Sequence, residues 1–234
     1  MKMTTHANKV YKPEIMNCPK CGEKLKYVYT ISNKVIQFSS SKVIKIKNMA
    51  YKCPICNDFI YSSATAHKMS FKGCTYSTKV ICMIENMKSK GKSRDEICDY
   101  LLSNEIEISD RNVDILYNKI KSIINSDYDK NIKDSYNEQL SLFNEIRICV
   151  DLITLKDNTY YVILYNWFKG DIIAIFKFIN RTIEYTEAKD ILSKYINEKY
   201  NITYIITVRP VIYFHQVIKG LTSPKTKMIS FSKF

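Results

Sequence analysis

Two stretches near the start of the chain alternate between polar and apolar residues with a period of two. They are residues 26–31, Lys-Tyr-Val-Tyr-Thr-Ile, and residues 41–47, Ser-Lys-Val-Ile-Lys-Ile-Lys. Such alternation is typical of β-strands that bury one face. Polar residues at 32–33 and 39–40 supply breaks between the stretches. The pattern therefore predicts a small antiparallel unit with little core of its own.

Helical spacing replaces the alternation from residue 76. Residues 76–88 place apolar side chains on one side, and Gly91 ends this predicted helix. Ser93 and Glu96 have the spacing of a capping box, in which each side chain accepts a hydrogen bond from the other residue's backbone N–H. Ser109 caps a third predicted helix that carries apolar residues through position 124. Three short capped helices favour a helix-turn-helix, although any small helical bundle gives the same periodicity.

A polar and acidic segment over residues 126–145 predicts a linker or a single solvated helix. Strand patterns follow it. Three runs of strand length, one helical run and a fully apolar fourth strand have the order β-β-β-α-β, and they cover residues 146–154, 160–167, 171–179, 186–199 and 201–208. An antiparallel meander followed by a crossover predicts an α/β layer sheet.

Charge adds a candidate partner to this picture. The chain has 234 residues, with 36 Lys and Arg against 23 Asp and Glu, and residues 1–73 alone carry 13 basic and 3 acidic side chains. A lysine-rich solubilising surface is one interpretation, but the clustering favours a polyanionic partner, nucleic acid before a membrane surface. No apolar run reaches the roughly 20 residues that span a bilayer, and the first residues lack the apolar centre of a signal peptide. We therefore expect a soluble, cytoplasmic protein with no membrane partner.

Four of the eight cysteines form two CxxC motifs, Cys18 with Cys21 and Cys53 with Cys56. Zn²⁺ prefers four such thiolates in a tetrahedron, and four protein ligands leave no open position, which predicts a structural zinc ion. The 31 residues between the motifs exceed the spacing of a compact finger, and an inserted hairpin absorbs them. The alternatives are a redox dithiol or independent core cysteines. His67 is a candidate extra ligand, although a lone surface histidine is the simpler interpretation.

Candidate nucleic-acid contacts occur in two places. On a ribbon, alternating basic and aromatic residues hold phosphate and stack on sugars or bases, whereas lysines on an exposed edge strand also block aggregation. In the third predicted helix, Arg111 and Asn112 suit bidentate base contacts, and Lys119 lies further along. The acidic neighbours Asp110 and Asp114 weaken phosphate attraction there, so we expect phosphate contacts from the ribbon. The ribbon candidates are Lys34, Lys42, Lys45 and Lys47, with Tyr27, Tyr29 and Phe38.

One carboxylate, Asp151, lies within the apolar run 148–153. A charge in such a run needs a stabilising environment, which makes Asp151 a catalytic candidate. A strand residue that faces solvent is the alternative. The sequence contains no glycine-rich phosphate loop, no His-Glu-x-x-His motif and no nucleophile elbow.

These features together resemble the transposases of prokaryotic insertion sequences that have a DDE catalytic domain, and the likeness covers essentially the whole chain. The two CxxC motifs look like the family's N-terminal zinc-binding region. The stretch from residues 92–97 through residues 108–117 is similar to its helix-turn-helix, in which a phrase like S-x-x-E-I … I-x-I-S-x-R-x-V-x-x-L-Y recurs. Residues 146–208 look like the opening β-β-β-α-β of an RNase H-like fold.

The resemblance implies a multi-domain α+β protein that binds double-stranded DNA. Its parts would be a zinc-ribbon domain over residues 1–73, a helix-turn-helix domain over 74–125, a linker over 126–145 and an incomplete RNase H-like α/β layer domain over 146–234. In the family the first two parts bind the terminal repeats of the element. The expected assembly is a homodimer associated with the nucleoid.

Three carboxylates of the family hold two Mg²⁺ ions that activate water and then a DNA 3′-hydroxyl. Asp151 matches the first of them. No Asp or Glu follows the fourth strand, where the second belongs, and the third would lie beyond the last residue. Because a single carboxylate holds Mg²⁺ poorly, the resemblance implies a truncated or degenerate transposase that binds DNA and is catalytically inactive.

Two alternatives stay open from the sequence. One is an active DDE transposase or integrase that uses Asp151 and Mg²⁺ with carboxylates supplied in trans or by Asp171, Glu184 or Asp190. The other is a zinc-ribbon subunit of a larger nucleic-acid-processing complex.

Overall fold

The computed structural model describes residues 6–39, 42–57, 59–179, 184–196, 200, 202–208, 218–222 and 225–231. The chain forms two compact units, Met1–Asn125 and Ser126–Phe234. The fold is mixed α/β, and each unit contains a mixed β-sheet.

The first unit begins with a three-stranded sheet. Its strands are β1 (His6–Tyr11), β2 (Lys26–Ser39) and β3 (Lys42–Lys52). The order is β1-β3-β2, with β2 antiparallel and β1 parallel to the central strand β3. The predicted antiparallel hairpin is therefore confirmed. The sequence did not predict β1, because a parallel strand far away in the chain leaves no local turn signal.

Strand β2 is longer and more irregular than its pattern predicts. It continues through the expected break at 32–33, and its register with β3 shifts by one residue at three places. Each shift leaves one extra residue on β2: Val28, Ile31 and Phe38. Such bulges bend a strand and increase its twist.

Four helices complete the described part of this unit: α1 (Ala64–Lys68), α2 (Thr78–Ser89), α3 (Arg94–Ser103) and α4 (Asp110–Ile124). The predicted capping box is confirmed, since Glu96 N–H donates to Ser93 Oγ at 3.2 Å and Ser93 N–H donates to Glu96 Oε2 at 2.8 Å. Ser109 caps α4 as predicted. Helices α2, α3 and α4 pack together, and the buried side chains at helical spacing are Ile81, Ile84, Ile97, Leu101, Val113, Leu116 and Ile120.

The described part of the second unit contains a five-stranded sheet, two longer helices and a short helical stretch at 218–221. Its elements are α5 (Tyr128–Phe143), β4 (Ile146–Thr154), β5 (Thr159–Asn166), β6 (Ile172–Ile179), α6 (Glu184–Ser193), β7 (Ile202–Val208) and β8 (Lys227–Phe231). The strand order is β6-β5-β4-β7-β8. Strands β4, β5 and β6 form an antiparallel meander, and β7 and β8 join it in parallel with β4.

Of the two interpretations of 126–145, the linker is wrong. Most of the segment is a helix, α5, which packs on the second sheet instead of being solvated on all sides. Asp127 caps the helix by accepting from Lys130 N–H at 3.0 Å. Ile132 and Tyr136 are buried in the core formed by one face of the sheet, and the Tyr136 hydroxyl donates to the Tyr195 carbonyl at 3.2 Å. The sparse apolar residues of this polar segment are spaced so that they fall on one face, which is enough to bury that face.

Among the residues that the structure describes, no helix combines the length and the apolar character that crossing a lipid bilayer requires.

Candidate metal centre and nucleic-acid interface

The two CxxC motifs form turns of the same shape. In the first, Gly22 N–H donates to the Cys18 carbonyl at 2.9 Å, and in the second Asn57 N–H donates to the Cys53 carbonyl at 3.0 Å. Gly22 and Asn57 each follow the second cysteine of their motif, and both have positive φ, 76° and 49°. Each turn therefore presents its two thiols on one side.

The four thiols converge on one point. The Sγ atoms of Cys18, Cys21, Cys53 and Cys56 all lie within 4.8 Å of one another. Contacts between the motifs measure 3.4 Å for Cys21 to Cys53, 3.6 Å for Cys21 to Cys56 and 3.9 Å for Cys18 to Cys56. A zinc ion about 2.3 Å from each sulfur of a tetrahedron separates the sulfurs by about 3.8 Å. The four cysteines thus fit a four-coordinate metal ion such as zinc.

The separations do not fit a disulfide, since all four cysteines are free and bonded sulfurs lie about 2.05 Å apart. Within the described part of the chain, this is the one group of three or more His, Cys, Asp or Glu side chains arranged to hold a metal. His67 is not part of it. The His67 Nε2 atom lies 2.7 Å from Ser62 Oγ and 3.4 Å from Asn48 Nδ2, so it belongs to a different polar cluster.

Hydrogen bonds lower the pKa of one cysteine of this cluster, whereas crowding by neighbouring thiols raises the pKa of another. Burial raises the pKa of Cys18, but the backbone N–H groups of Cys21 and Lys20 and the Tyr61 hydroxyl stabilise its thiolate and bring the pKa down to about 7. The neighbouring Cys21 side chain and then burial raise the pKa of Cys56 to about 12. A bound divalent cation supplies the positive charge that lets all four thiols ionise together.

The position of the cluster explains the long spacing between the motifs. Cys21 lies just before β2 and Cys53 directly follows β3, and Lys26 and Lys52 are paired at that end of the hairpin. The intervening residues are the β2–β3 hairpin itself. A metal ion at the cluster therefore ties together the two ends of the hairpin, next to the backbone pairing of Tyr51 with Tyr61.

Strand β3 alternates between buried and exposed side chains over residues 44–47. Ile44 and Ile46 are buried, whereas Lys45 and Lys47 are exposed. Because β3 is paired on both sides, the interpretation of Lys45 and Lys47 as guards of an exposed edge strand is wrong, whereas Lys34 does lie on an edge strand of the described sheet, β2. Lys45 is in register with Asn8 and Val35, and Lys47 with Val10. We call the exposed set Asn8, Val10, Val35, Lys45 and Lys47 the lysine face.

The other ribbon candidates lie elsewhere. Lys34 is in register with Ile46, the residue between Lys45 and Lys47 on β3. Lys42 is in register with Ser39, at the start of β3. Tyr27 and Tyr29 are both about half exposed, and the Tyr27 ring makes an edge contact with Tyr51. Phe38 packs instead on the buried cluster on the opposite side of the sheet, which comprises Ile36, Ile44, Ile46, Ala66 and Met69.

The three candidate residues of the third predicted helix, which is α4, differ in exposure and in contacts. Arg111 is exposed on α4. Asn112 is hydrogen-bonded to Tyr76, whose hydroxyl also donates to the Glu107 carbonyl at 3.0 Å. The Lys119 ammonium donates to the Lys72 carbonyl. Asn112 and Lys119 thus hold α4 to neighbouring segments.

Sequence reasoning missed two residues on the exposed side of α4. Ile115 is 50% exposed, and Asn118 is exposed one turn further on. Together with Arg111 they recur at spacings of four and three residues, which places them in one row. The acidic neighbour Asp114 contacts Lys88 Nζ at 3.3 Å and Arg94 Nη1 at 3.1 Å, so its charge is offset within the helical part.

Asp151 is buried, with 6% of its surface exposed, which contradicts the solvent-facing alternative. Its partners in the strand register are Ile163 on β5 and Val208 on β7. Asp171 and Asp190 are exposed. The side chain of Glu184 and residues 209–210, where the resemblance places the second carboxylate, lie outside the described residues. Among the described residues no group of three carboxylates forms around Asp151.

No protein-family model matches the chain, and no curated protein shows significant similarity to it. Fold and site alone therefore define the class: a mixed α/β protein with a four-cysteine centre that can bind a metal ion such as zinc.

Proposed function

We propose that this chain is a zinc-dependent, double-stranded DNA-binding protein of the insertion-sequence transposase type, without catalytic activity. The observation that carries the proposal is the combination of a four-cysteine cluster with the sheet that it braces. The metal ion would fix the ends of the β2–β3 hairpin, and the central strand of that sheet presents Lys45 and Lys47 to solvent. A rigid surface with clustered positive charge is the electrostatic requirement for binding a phosphate backbone.

The helical part supports the same proposal. Helices α2, α3 and α4 pack together, and α4 is capped by Ser109 and has an exposed row of Arg111, Ile115 and Asn118. Arginine and asparagine in one exposed row of a helix suit hydrogen bonds to base edges, and an exposed aliphatic residue between them suits a thymine methyl group. In this proposal α4 is the recognition helix.

The second unit supports the RNase H-like part of the proposal through its topology. Its sheet starts with the meander β4-β5-β6, and α6 leads to β7, which lies beside β4 and parallel to it. This is the arrangement that the β-β-β-α-β resemblance implies. Absence of catalysis is proposed because no Asp or Glu follows the fourth strand of that arrangement, where the resemblance places the second carboxylate, and one carboxylate alone does not hold two Mg²⁺ ions.

Salt-dependent binding to duplex DNA tests the proposal. Fluorescence anisotropy with a pool of labelled random duplexes should give a Kd that weakens steeply with salt, because each neutralised phosphate contributes about 0.9 to the log–log slope. Replacing Lys45 or Lys47 by Ala should reduce that slope by about 1 each. Lys219→Ala, an exposed lysine of the second unit, is the matched control. Binding that is absent, or that persists after the zinc is stripped, would overturn the proposal.

Catalysis is tested separately. Supercoiled plasmid incubated with the protein and Mg²⁺ or Mn²⁺ should remain intact. Nicking or strand transfer that disappears in the Asp151→Ala variant would establish an active transposase instead.

A further inference from the structure

The lysine face contains exposed aliphatic and amide side chains as well as positive charge. Val10 is 59% and Val35 41% exposed, and they lie on the two strands that flank Lys45 and Lys47. Asn8, also exposed, is in register with Lys45. Covering exposed aliphatic side chains with an apolar group of a partner is favourable, because it removes their surface from water. The face therefore suits a partner that offers negative charge and apolar groups within a few ångströms of each other.

The major groove of DNA offers both. The axes of the two outer strands of a three-stranded sheet lie about 10 Å apart, since adjacent strands are about 4.8 Å apart, and the major groove is about 12 Å wide. The apolar group on the floor of that groove is the C5-methyl of thymine, and the base that an asparagine side chain pairs with best is adenine, through N6 and N7. The exposed valines and the exposed asparagine of the lysine face thus both favour an A·T base pair.

We infer that the lysine face lies in the major groove of duplex DNA and selects A·T base pairs. Val10 and Val35 contact thymine methyl groups, and Asn8 contacts the adenine edge. Lys45 and Lys47 hold the face to the polyanion between these contacts. The inference rests on the proposed function, because it assigns a base preference to a surface that the proposal uses for DNA binding.

Uracil substitution tests the inference directly. Deoxyuridine differs from thymidine only by lacking the C5-methyl group, so base pairing is unchanged. The full-length zinc-loaded protein should bind an A·T-rich duplex three- to five-fold more weakly for each contacted thymine replaced by uracil, as expected for loss of one buried methyl group. The readout is the ratio of Kd values for the two duplexes in the same buffer.

Variants separate the face from the rest of the chain. Val10→Ala together with Val35→Ala should weaken binding to the thymine duplex and abolish the difference between thymine and uracil. Val28→Ala is the matched control, because Val28 is a half-exposed valine of β2 at a bulge outside the lysine face. Asn8→Ala should make the protein insensitive to 7-deazaadenine, which lacks the N7 acceptor. Zinc content and circular dichroism verify that each variant is folded.

The outcomes distinguish the two levels of the proposal. Salt-dependent duplex binding with equal affinity for thymine and uracil duplexes overturns the A·T inference and leaves the proposed function standing. An effect of Val28→Ala as large as that of the double variant also overturns it. No binding to either duplex overturns the proposed function and the inference together.

Discussion

Gly22 and Asn57 occupy equivalent positions in the two cysteine turns, although they are different residues. Each lies directly after the second cysteine and adopts a left-handed backbone conformation. Glycine adopts it without steric cost, and asparagine is among the few other residues that tolerate it. The glycine in the CxxCG sequence predicts the left-handed residue of the first turn, whereas that of the second turn is recognisable only from its geometry.

Replacing Gly22 by alanine should weaken zinc binding. Space is not the reason, because a Cβ at Gly22 would meet nothing within 4 Å. The cost is the left-handed conformation itself, about 1 kcal/mol, or roughly a fivefold loss of zinc affinity. Competition with a chromophoric chelator measures the change. Gly220→Ala is the control, since Gly220 also has open space but its φ is not positive. An affinity equal to that of the unaltered protein would contradict the role of the left-handed turn.

The Glu96 carboxyl should titrate at unusually low pH. The Lys92 side chain, and then the backbone N–H of Ser93, stabilise its charged form and lower its pKa from 4.5 to about 2. A carboxyl with a lowered pKa stabilises the folded state fully above pH 4.5 and loses that effect as the pH falls toward 2. The carboxyl carbon shift in NMR should therefore show Glu96 still ionised at pH 3.5. Lys92→Ala should raise its midpoint, and an unchanged midpoint would contradict the assigned cause.

At the level of elements, capping signals were more informative than composition. Ser93, Glu96 and Ser109 gave the starts of α3 and α4 correctly, because a cap is a contact between residues three positions apart. The acidic composition of 126–145 suggested a linker or a solvated helix, whereas a few side chains decide the outcome. Four buried side chains attach α5 to the second unit: Ile132, Tyr136, Gln139 and Phe143.

The Tyr136 hydroxyl provides a test of that attachment. It is buried and donates to the Tyr195 carbonyl, so Tyr136→Phe should lower the free energy of unfolding of the second unit by about 1 kcal/mol. Urea unfolding followed by circular dichroism measures this. Leu140→Ala, on the exposed side of the same helix, should change it by less than about 0.5 kcal/mol. The reverse ranking would contradict the packing described for α5.

For the molecule as a whole, the two units have separate sources of stability. The core of the second unit comprises β4 to β7 with α5 and α6, and it contains none of the four clustered cysteines. The first unit places its sheet next to that cluster. Metal removal should therefore affect only one of them.

A chelator should raise amide hydrogen exchange in β2 and β3 by at least tenfold and leave β4 and β5 unchanged. Folding of small metal-braced segments depends on the ion, which is the physical reason. Cys53→Ser should reproduce the chelator's effect. Cys98→Ser, which alters a cysteine outside the cluster, should not. Exchange that rises equally in both units would contradict independent stabilisation.

The sequence predicted local features well and distant pairings poorly. The CxxC turns, the hairpin and the meander depend on neighbours in the chain, and each is present. Strand β1 and strand β8 depend on parallel pairing with distant segments and were not predicted. The internal roles of Asn112 and Lys119 were hidden for the same reason, since Tyr76 and Lys72 lie more than thirty residues away.

The parallel strand β1 has a practical consequence for anyone shortening this protein. Deleting residues 1–11 would remove one neighbour of β3 and leave N–H and C=O groups without partners along residues 43–48, the six positions that pair with β1. Open strand edges recruit strands from other molecules, so the shortened protein should precipitate on concentration. A fusion partner is accordingly better attached through a spacer that leaves His6–Tyr11 intact.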